Sequence, residues 1–248
     1  MKLGKKPARP GSVQFKFRSY FNVEALPTPP ARFGHYGLIK NWGMFSNDRV
    51  GDCVIAGGAH ETMMWGAEGG KPVNFSDTCV LSDYTSLTGY DPSNPNSDQG
   101  TDMQLAASYR RTTGLLDTEG NRHKIDSYVA LTVGDVDELI LASYLFGAVG
   151  VGINFPVTAE QQFRDEIPWD VVPGAKVDGG HYIPCLGRNG VGNILCVTWG
   201  RLHAMTPAFY KAMNDETVAY ISLEPLNNRL LSPEGYNLDA LRKDLASL

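Results

Sequence analysis

The sequence is poor in the features that mark membrane and metal proteins. None of its 248 residues fall in an apolar stretch long enough to cross a bilayer as a helix. Met1 to Arg18 has no apolar run of the kind that opens a secretory signal. There are four cysteines, Cys53, Cys79, Cys185 and Cys196, and five histidines, and neither set has the spacing of a metal site. These absences exclude a helical membrane span, offer no membrane partner and no cofactor, and make a reducing cytoplasm the expected site of synthesis.

What is present is enough apolar sequence for one core, 42% of residues, and an uneven charge distribution. Lys2, Lys5, Lys6, Arg9, Lys16 and Arg18 precede the first acid, Glu24, whereas the rest of the chain carries 16 basic and 27 acidic residues. Residues 1–40, rich in Pro and Gly, therefore read as a basic extended arm on an acidic body. Phe15 and Phe17 alternate with Lys16 and Arg18, the period of a strand added to a neighbour or to the protein's own sheet. The arm is expected to dock on the body, a protein partner or a neighbouring subunit. Six charges without a reading surface make nucleic acid a poor candidate.

Residues 47–60, NDRVGDCVIAGGAH, place Cys53 at the start of an apolar helical pattern and an amide side chain, Asn47, six positions before it. A thiolate at a helix N-terminus is stabilised by unpaired N–H groups and the helix dipole. Such a nucleophile needs a base, and residues 178–200, DGGHYIPCLGRNGVGNILCVTWG, supply His181 at the head of a predicted hairpin. Cys185 and Cys196 fall on its two strands and read as small buried hydrophobes. His60, two helical turns beyond Cys53, is about 10 Å away and too far for direct proton transfer. His35, His123 and His203 read as surface or loop residues. The acid- and amide-rich segment 89–102 lacks calcium-loop spacing and reads as a structured loop ending in a helix cap at Thr101 and Asp102.

Taken in order, Asn47, Gly51-Asp52, Cys53, the helix-like segment 103–120, the strand–helix–strand pattern of 124–155, Gly180-His181 and Val197-Thr198-Trp199-Gly200 resemble the papain-like cysteine peptidase superfamily over residues 43–223. The whole chain is also similar to bacteriophage-encoded proteins. The superfamily resemblance implies Cys53 as nucleophile, His181 as base, Asn47 as oxyanion donor and a cleft for a peptide or protein substrate. It also implies an α+β fold, a helical half beside an antiparallel half-barrel. Strands are predicted near 126–132, 147–154, 181–187, 193–199 and 217–223, and helices near 53–67, 76–87, 102–114, 135–145 and 158–164. The expected domain spans 41–225, and 226–248 should form a turn and an amphipathic helix from Leu238. The arm is shorter and less helical than that superfamily's propeptides and is not read as one.

Three positions depart from the pattern. Val197, sixteen after His181, stands where the superfamily has an Asn that orients the imidazole, and a valine cannot accept its N–H; Thr198 is a weak substitute. Asn47 is one methylene shorter than Gln, leaving its N–H roughly 1.5 Å short of an oxyanion. Asp52 beside Cys53 disfavours the thiolate. Two readings follow: a cysteine hydrolase of peptide or amide bonds with a degenerate third position, or a catalytically silent module in a larger assembly such as a phage particle.

Overall fold

A helix whose first fourteen residues are all apolar, small or internally paired has no face to give to solvent, and Cys53 to Gly66 are indeed all buried. The computed structural model describes residues 1–9, 11, 13, 15–21 and 26–225; the expected helix from Leu238 lies outside them. Helices are α1 (Phe17–Tyr20), α2 (Cys53–Glu68), α3 (Asp77–Thr88), α4 (Met103–Thr112), α5 (Val136–Phe146), α6 (Val157–Arg164) and α7 (Pro207–Met213). Strands are β1 (Leu115–Leu116), β2 (Arg122–His123), β3 (Ser127–Ala130), β4 (Val149–Pro156), β5 (Val177–Arg188), β6 (Ile194–Thr198), β7 (Arg201–Met205) and β8 (Asn214–Ile221). Short polar residues start the helices where their oxygens can take free N–H groups: Ser76 accepts from Cys79, Asp102 from Gln104 and Leu105, Asp135 from Glu138.

Six strands form one open antiparallel sheet in the order β3-β8-β4-β5-β6-β7. One face packs Val149, Val151, Ile153, Ile183 and Cys185 against α5 and its neighbours. The other turns Tyr182, Leu186, Val197, Val218 and Tyr220 towards the helical half built on α2. Strand β5 lies against α2, and a buried network fastens the two. The Tyr182 hydroxyl donates to Glu61 Oε1 at 2.5 Å, and Arg110 Nη1 donates to Glu61 Oε2 at 2.6 Å. Burial raises the Glu61 pKa, opposed by Arg110. Only glycine at 57 and 150 leaves room for the Tyr182 ring between α2 and β4.

Strands β1, β2 and β7 and helices α1 and α7 fall outside the predicted elements, and α1 is helical where the alternation of Phe15 and Phe17 predicted an extended arm. The expected antiparallel half is an open sheet that does not close into a barrel, with β3 and β7 at its edges. Cys185 and Cys196 are register partners, both buried and both free.

The arm folds back on the body. Lys16 bridges Ala130 beside edge strand β3, and the Ala130 N–H donates to the Phe15 carbonyl at 2.9 Å. Phe17 is fully buried and stacks on Phe21 with ring centroids 4.5 Å apart. Its cations meet the body's acids: Lys2 with Asp98, Lys5 with Asp215 and Glu216, Arg9 with Asp102, Arg18 with Asp135 and Glu138. Four of the arm's first six cations are thus paired with acids of the same chain.

Candidate active site

The loop before α2 delivers Cys53 to the junction of the two halves. Asp98, from the loop at 89–102, accepts the Gly51 N–H at 3.0 Å and the Tyr84 hydroxyl at 2.7 Å, fixing the turn two residues ahead of the cysteine. Asp52 is fully buried; one carboxylate oxygen accepts from Asn47 Nδ2 at 3.1 Å and the other has no partner. Burial therefore drives its pKa well above the usual range, and its charge remains one of the causes that raise the Cys53 thiol. The Asn47 amide also donates to the Val50 carbonyl at 3.2 Å, so both of its N–H groups serve the loop in this conformation.

Cys53 is 1% exposed, and burial pushes its thiol up to about 12 against weaker stabilisation by backbone hydrogen bonds at Tyr182 and Gly4. Tyr182 follows His181 on β5, so the thiol sits beside the histidine's own strand. His181 is fully buried, and burial lowers its pKa to about 3. At neutral pH the two groups are an uncharged thiol and an uncharged imidazole, and Nδ1 has no hydrogen-bond partner.

The other ring nitrogen answers the question raised by Val197. Thr198 Oγ1 lies 2.7 Å from His181 Nε2, and Trp199 stacks on the imidazole with centroids 4.5 Å apart and planes 18° apart. Phe155 meets the ring edge-on at 5.6 Å. Val197 points to the opposite face of the sheet, into the α2 core. The reason is a bulge. Strands β5 and β6 pair Arg188 with Ile194 and Gly187 with Leu195, then slip by one residue to pair Cys185 with Cys196. A one-residue slip reverses which side chains share a face: beyond it, Thr198 instead of Val197 lies on the face of His181.

The chain's own N-terminus runs between the two halves, bonded to both. The Lys5 N–H donates to the Gly180 carbonyl at 3.0 Å, the Lys6 N–H to the Thr101 carbonyl at 2.9 Å, and the Thr101 N–H to the Gly4 carbonyl at 2.8 Å. Lys5 and Thr101 form a parallel bridge. This strap is closely fitted. A Cβ on Gly4 would clash with the Gly51 carbonyl, and one on Gly180 with the carbonyl of Lys5. The sequence reading of residues 1–40 as a basic arm did not place it there. The signals that could have done so are Gly4, Gly100 and Gly180 opposite one another, and a lysine at 5 facing acids at 215 and 216.

The remaining histidines have structural surroundings. His60 stacks on Phe45 and its Nε2 lies 3.1 Å from the Gly43 carbonyl; burial lowers its pKa to about 4. His203, on β7, is buried against Trp169 and Phe163 instead of on the surface. His123 lies between Glu224 and Asp117, which raise its pKa to about 9. His35 contacts Glu68 at 2.9 Å. Among the described residues no group of three or more His, Cys, Asp or Glu is placed to hold a metal ion, and no helix is long and apolar enough to cross a membrane.

No protein-family model matches the sequence, and no curated protein matches it significantly. The three-dimensional arrangement does have counterparts. Xylellain, a cysteine protease from Xylella fastidiosa, superposes with a TM-score of 0.61 over 89% of this chain and 96% of its own, at 13% identity. Procathepsin B S9 from Trypanosoma congolense gives 0.63 over 89% and 86%, at 12% identity. Procathepsin L 3 from the larval midgut of Tenebrio molitor gives 0.59 over 89% and 75%, at 14% identity. The fold is that of the papain-like cysteine proteases. Within this fold, α2 carries Cys53 at its start and the adjoining strand β5 carries His181.

Proposed function

We propose that the protein is a cysteine hydrolase of peptide or amide bonds, with Cys53 as nucleophile and His181 as general base, held closed in this conformation by its own N-terminal strap. The reading rests chiefly on the His181 environment. One ring nitrogen is held by a hydroxyl under a stacked tryptophan, while the other is left without a partner on the strand against which the Cys53 thiol lies. That is the layout a proton-accepting imidazole requires: one nitrogen orients the ring and the other remains available for the thiol proton. Thr198 is the positioning residue in place of the superfamily's asparagine.

In the reaction, His181 Nδ1 takes the thiol proton, the Cys53 sulfur attacks the substrate carbonyl, and the tetrahedral oxyanion is met by the Cys53 N–H at the start of α2. His181 then returns the proton to the leaving amine, and water releases the acyl group from the thioester. Asn47 joins the oxyanion donors only after releasing Val50 or Asp52. The closed state opposes the first step because burial separates the two pKa values in the wrong sense, thiol high and imidazole low. Moving the strap and hydrating both groups brings them together.

A second reading, a silent module that binds within a larger assembly, is favoured by the same strap, whose fit over Cys53 leaves no open cleft. Iodoacetamide labelling of Cys53, followed by mass spectrometry in a strap-displaced chain with and without His181, separates the two. Labelling that needs the imidazole supports the hydrolase, and labelling indifferent to it supports the module.

A further inference from the structure

Two of the three departures from the superfamily pattern meet each other in the fold. Asn47 is one methylene short of a glutamine, and Asp52 brings a carboxyl group to the position before Cys53. Asn47 Nδ2 donates to Asp52 Oδ1 at 3.1 Å, and both side chains are buried. The turn that presents the amide is well fastened. Phe45 and Ser46 have positive φ, 56° and 65°, the Asn47 N–H donates to the Met44 carbonyl at 3.2 Å, and the Arg49 and Val50 N–H groups donate to the Ser46 carbonyl at 2.9 Å. On the other side, the Asp52 carbonyl accepts from the Ile55 and Ala56 N–H groups at the start of α2. Between these anchors the amide makes two bonds, to Asp52 and to the Val50 carbonyl at 3.2 Å.

The two bonds are not equivalent. Val50 lies three residues before Cys53, whereas Asp52 is peptide-bonded to Cys53, whose N–H is the other oxyanion donor. An amide that keeps Asp52 and frees the N–H now on Val50 stays beside that donor. Asp52 Oδ2 is buried without a partner, so the carboxyl group offers two acceptors to one donor, and the amide can shift from one oxygen to the other without going unbonded. An empty acceptor in a dry site is costly to keep, which marks it as more than loop packing.

We infer that Asp52 is a positioning residue of the oxyanion site: it holds one N–H of Asn47 while the other leaves the Val50 carbonyl for the oxyanion. The inference rests on the proposed hydrolase reaction and deepens it. Two side chains that each weaken the superfamily pattern then act as one device, the carboxyl group of residue 52 making up for the missing methylene of residue 47.

The test compares two reactions of one thiol in the full chain carrying Gly4→Val, with Asp52 native, Asp52→Ala or Asp52→Asn. Iodoacetamide alkylates Cys53 by displacing iodide and builds no oxyanion. With para-nitrophenyl acetate the sulfur bonds to the carbonyl carbon through a tetrahedral oxyanion, the thiol proton passes to His181, the ester C–O bond breaks and para-nitrophenolate leaves. The ratio of the two rates cancels thiol reactivity and reads the oxyanion site. Asp52→Ala should lower it about tenfold to a hundredfold, less than the roughly hundredfold to thousandfold lost with a whole oxyanion donor. Asp52→Asn, whose carbonyl oxygen still accepts from the amide, should keep most of it. A ratio unchanged in Asp52→Ala overturns the inference and leaves the hydrolase standing. A thiol inert to both reagents in a folded Gly4→Val chain with fast-exchanging Lys5 and Lys6 amides refutes the hydrolase, and the inference with it. The tether is read separately, without Gly4→Val, by hydrogen exchange of the Asn47 side-chain amide. One of its two protons should exchange at least about tenfold faster in Asp52→Ala and not in Asp52→Asn, and equal protection in all three chains also overturns the inference. Should Asp52→Ala fail to fold, Asp52→Ser, whose oxygen stops one bond short of Oδ1, takes its place with the same outcomes.

Discussion

Replacing Thr198 with valine removes one hydroxyl and almost no volume, and so isolates the contact on which the placement of His181 depends. The hydroxyl is 2.7 Å from Nε2, Thr198 is 3% exposed and His181 is fully buried beneath Trp199, so no water is positioned to substitute. Losing a buried hydrogen bond and leaving its partner unsatisfied costs about 1–3 kcal/mol. In a chain of this size that corresponds to a fall in Tm of about 3–10 °C. The Thr198 hydroxyl can accept from Nε2–H or donate to a bare Nε2; the proposed reaction requires the first arrangement, which leaves Nδ1 bare for the thiol proton. Nitrogen-15 correlation spectra of the imidazole should show Nε2 protonated and Nδ1 bare in the native chain, a mixture in Thr198→Val, and the native pattern again in Thr198→Ser. A native ring protonated at Nδ1, or no change in Thr198→Val, would refute Thr198 as the positioning residue and leave His181 unfit to accept the thiol proton.

Two further outcomes follow from buried groups. Tyr182→Phe leaves Glu61 with Arg110 alone in the network that fastens β5 to α2. It should destabilise the fold by about 1–3 kcal/mol in urea unfolding; an unchanged midpoint would mean that the clamp contributes nothing. His60, held near a pKa of about 4 in the folded chain against 6.5 unbound, binds fewer protons folded than unfolded within that window. Its contribution is therefore complete above the upper limit and is lost as pH falls, and the native chain should lose up to about 3 kcal/mol relative to His60→Gln on acidification from pH 6.5 to 4. Urea unfolding of both chains across that range checks it, and parallel stability curves would contradict it.

Much of the architecture is legible in the sequence because local signals and burial agree. Cys53–Glu68 is mostly apolar or small, Ser76, Asp102 and Asp135 stand where helices begin, and β4 is a mainly apolar run buried at seven of its eight positions. Strand β7, RLHAM, is short and mixed and carries no period that marks it. The choice between Val197 and Thr198 was out of reach for a different reason. Counting residues from His181 assumes regular pairing, and the slip between Cys185 and Gly187 depends on how the two strands meet. The strap is illegible for a third reason. Its path is held by backbone hydrogen bonds and by the ion pairs of Lys5 with Asp215 and Glu216, interactions that leave no periodic trace, and the Pro- and Gly-rich composition of residues 1–40 as a whole is also that of a free tail. Asp52 shows the limit of charge counting. Read from sequence it is an anion that opposes the thiolate; in the fold, burial favours its neutral form.

The central claim is that Cys53 and His181 form a reactive pair which the strap holds uncharged. Gly4→Val tests it most directly, since a side chain there would clash with the Gly51 carbonyl while Cys53 and His181 themselves stay unchanged in sequence. The rate of Cys53 alkylation by iodoacetamide would be followed from about pH 4 to about pH 10 in the native chain, in Gly4→Val, and in Gly4→Val with His181→Ala. The native thiol should be almost inert, in keeping with its pKa of about 12 and 1% exposure. Gly4→Val should react well below the ordinary thiol pKa of about 8.5 and lose that reactivity without His181. A folded Gly4→Val chain with fast-exchanging Lys5 and Lys6 amides, in which Cys53 titrates as a free thiol whether or not His181 is present, would contradict it.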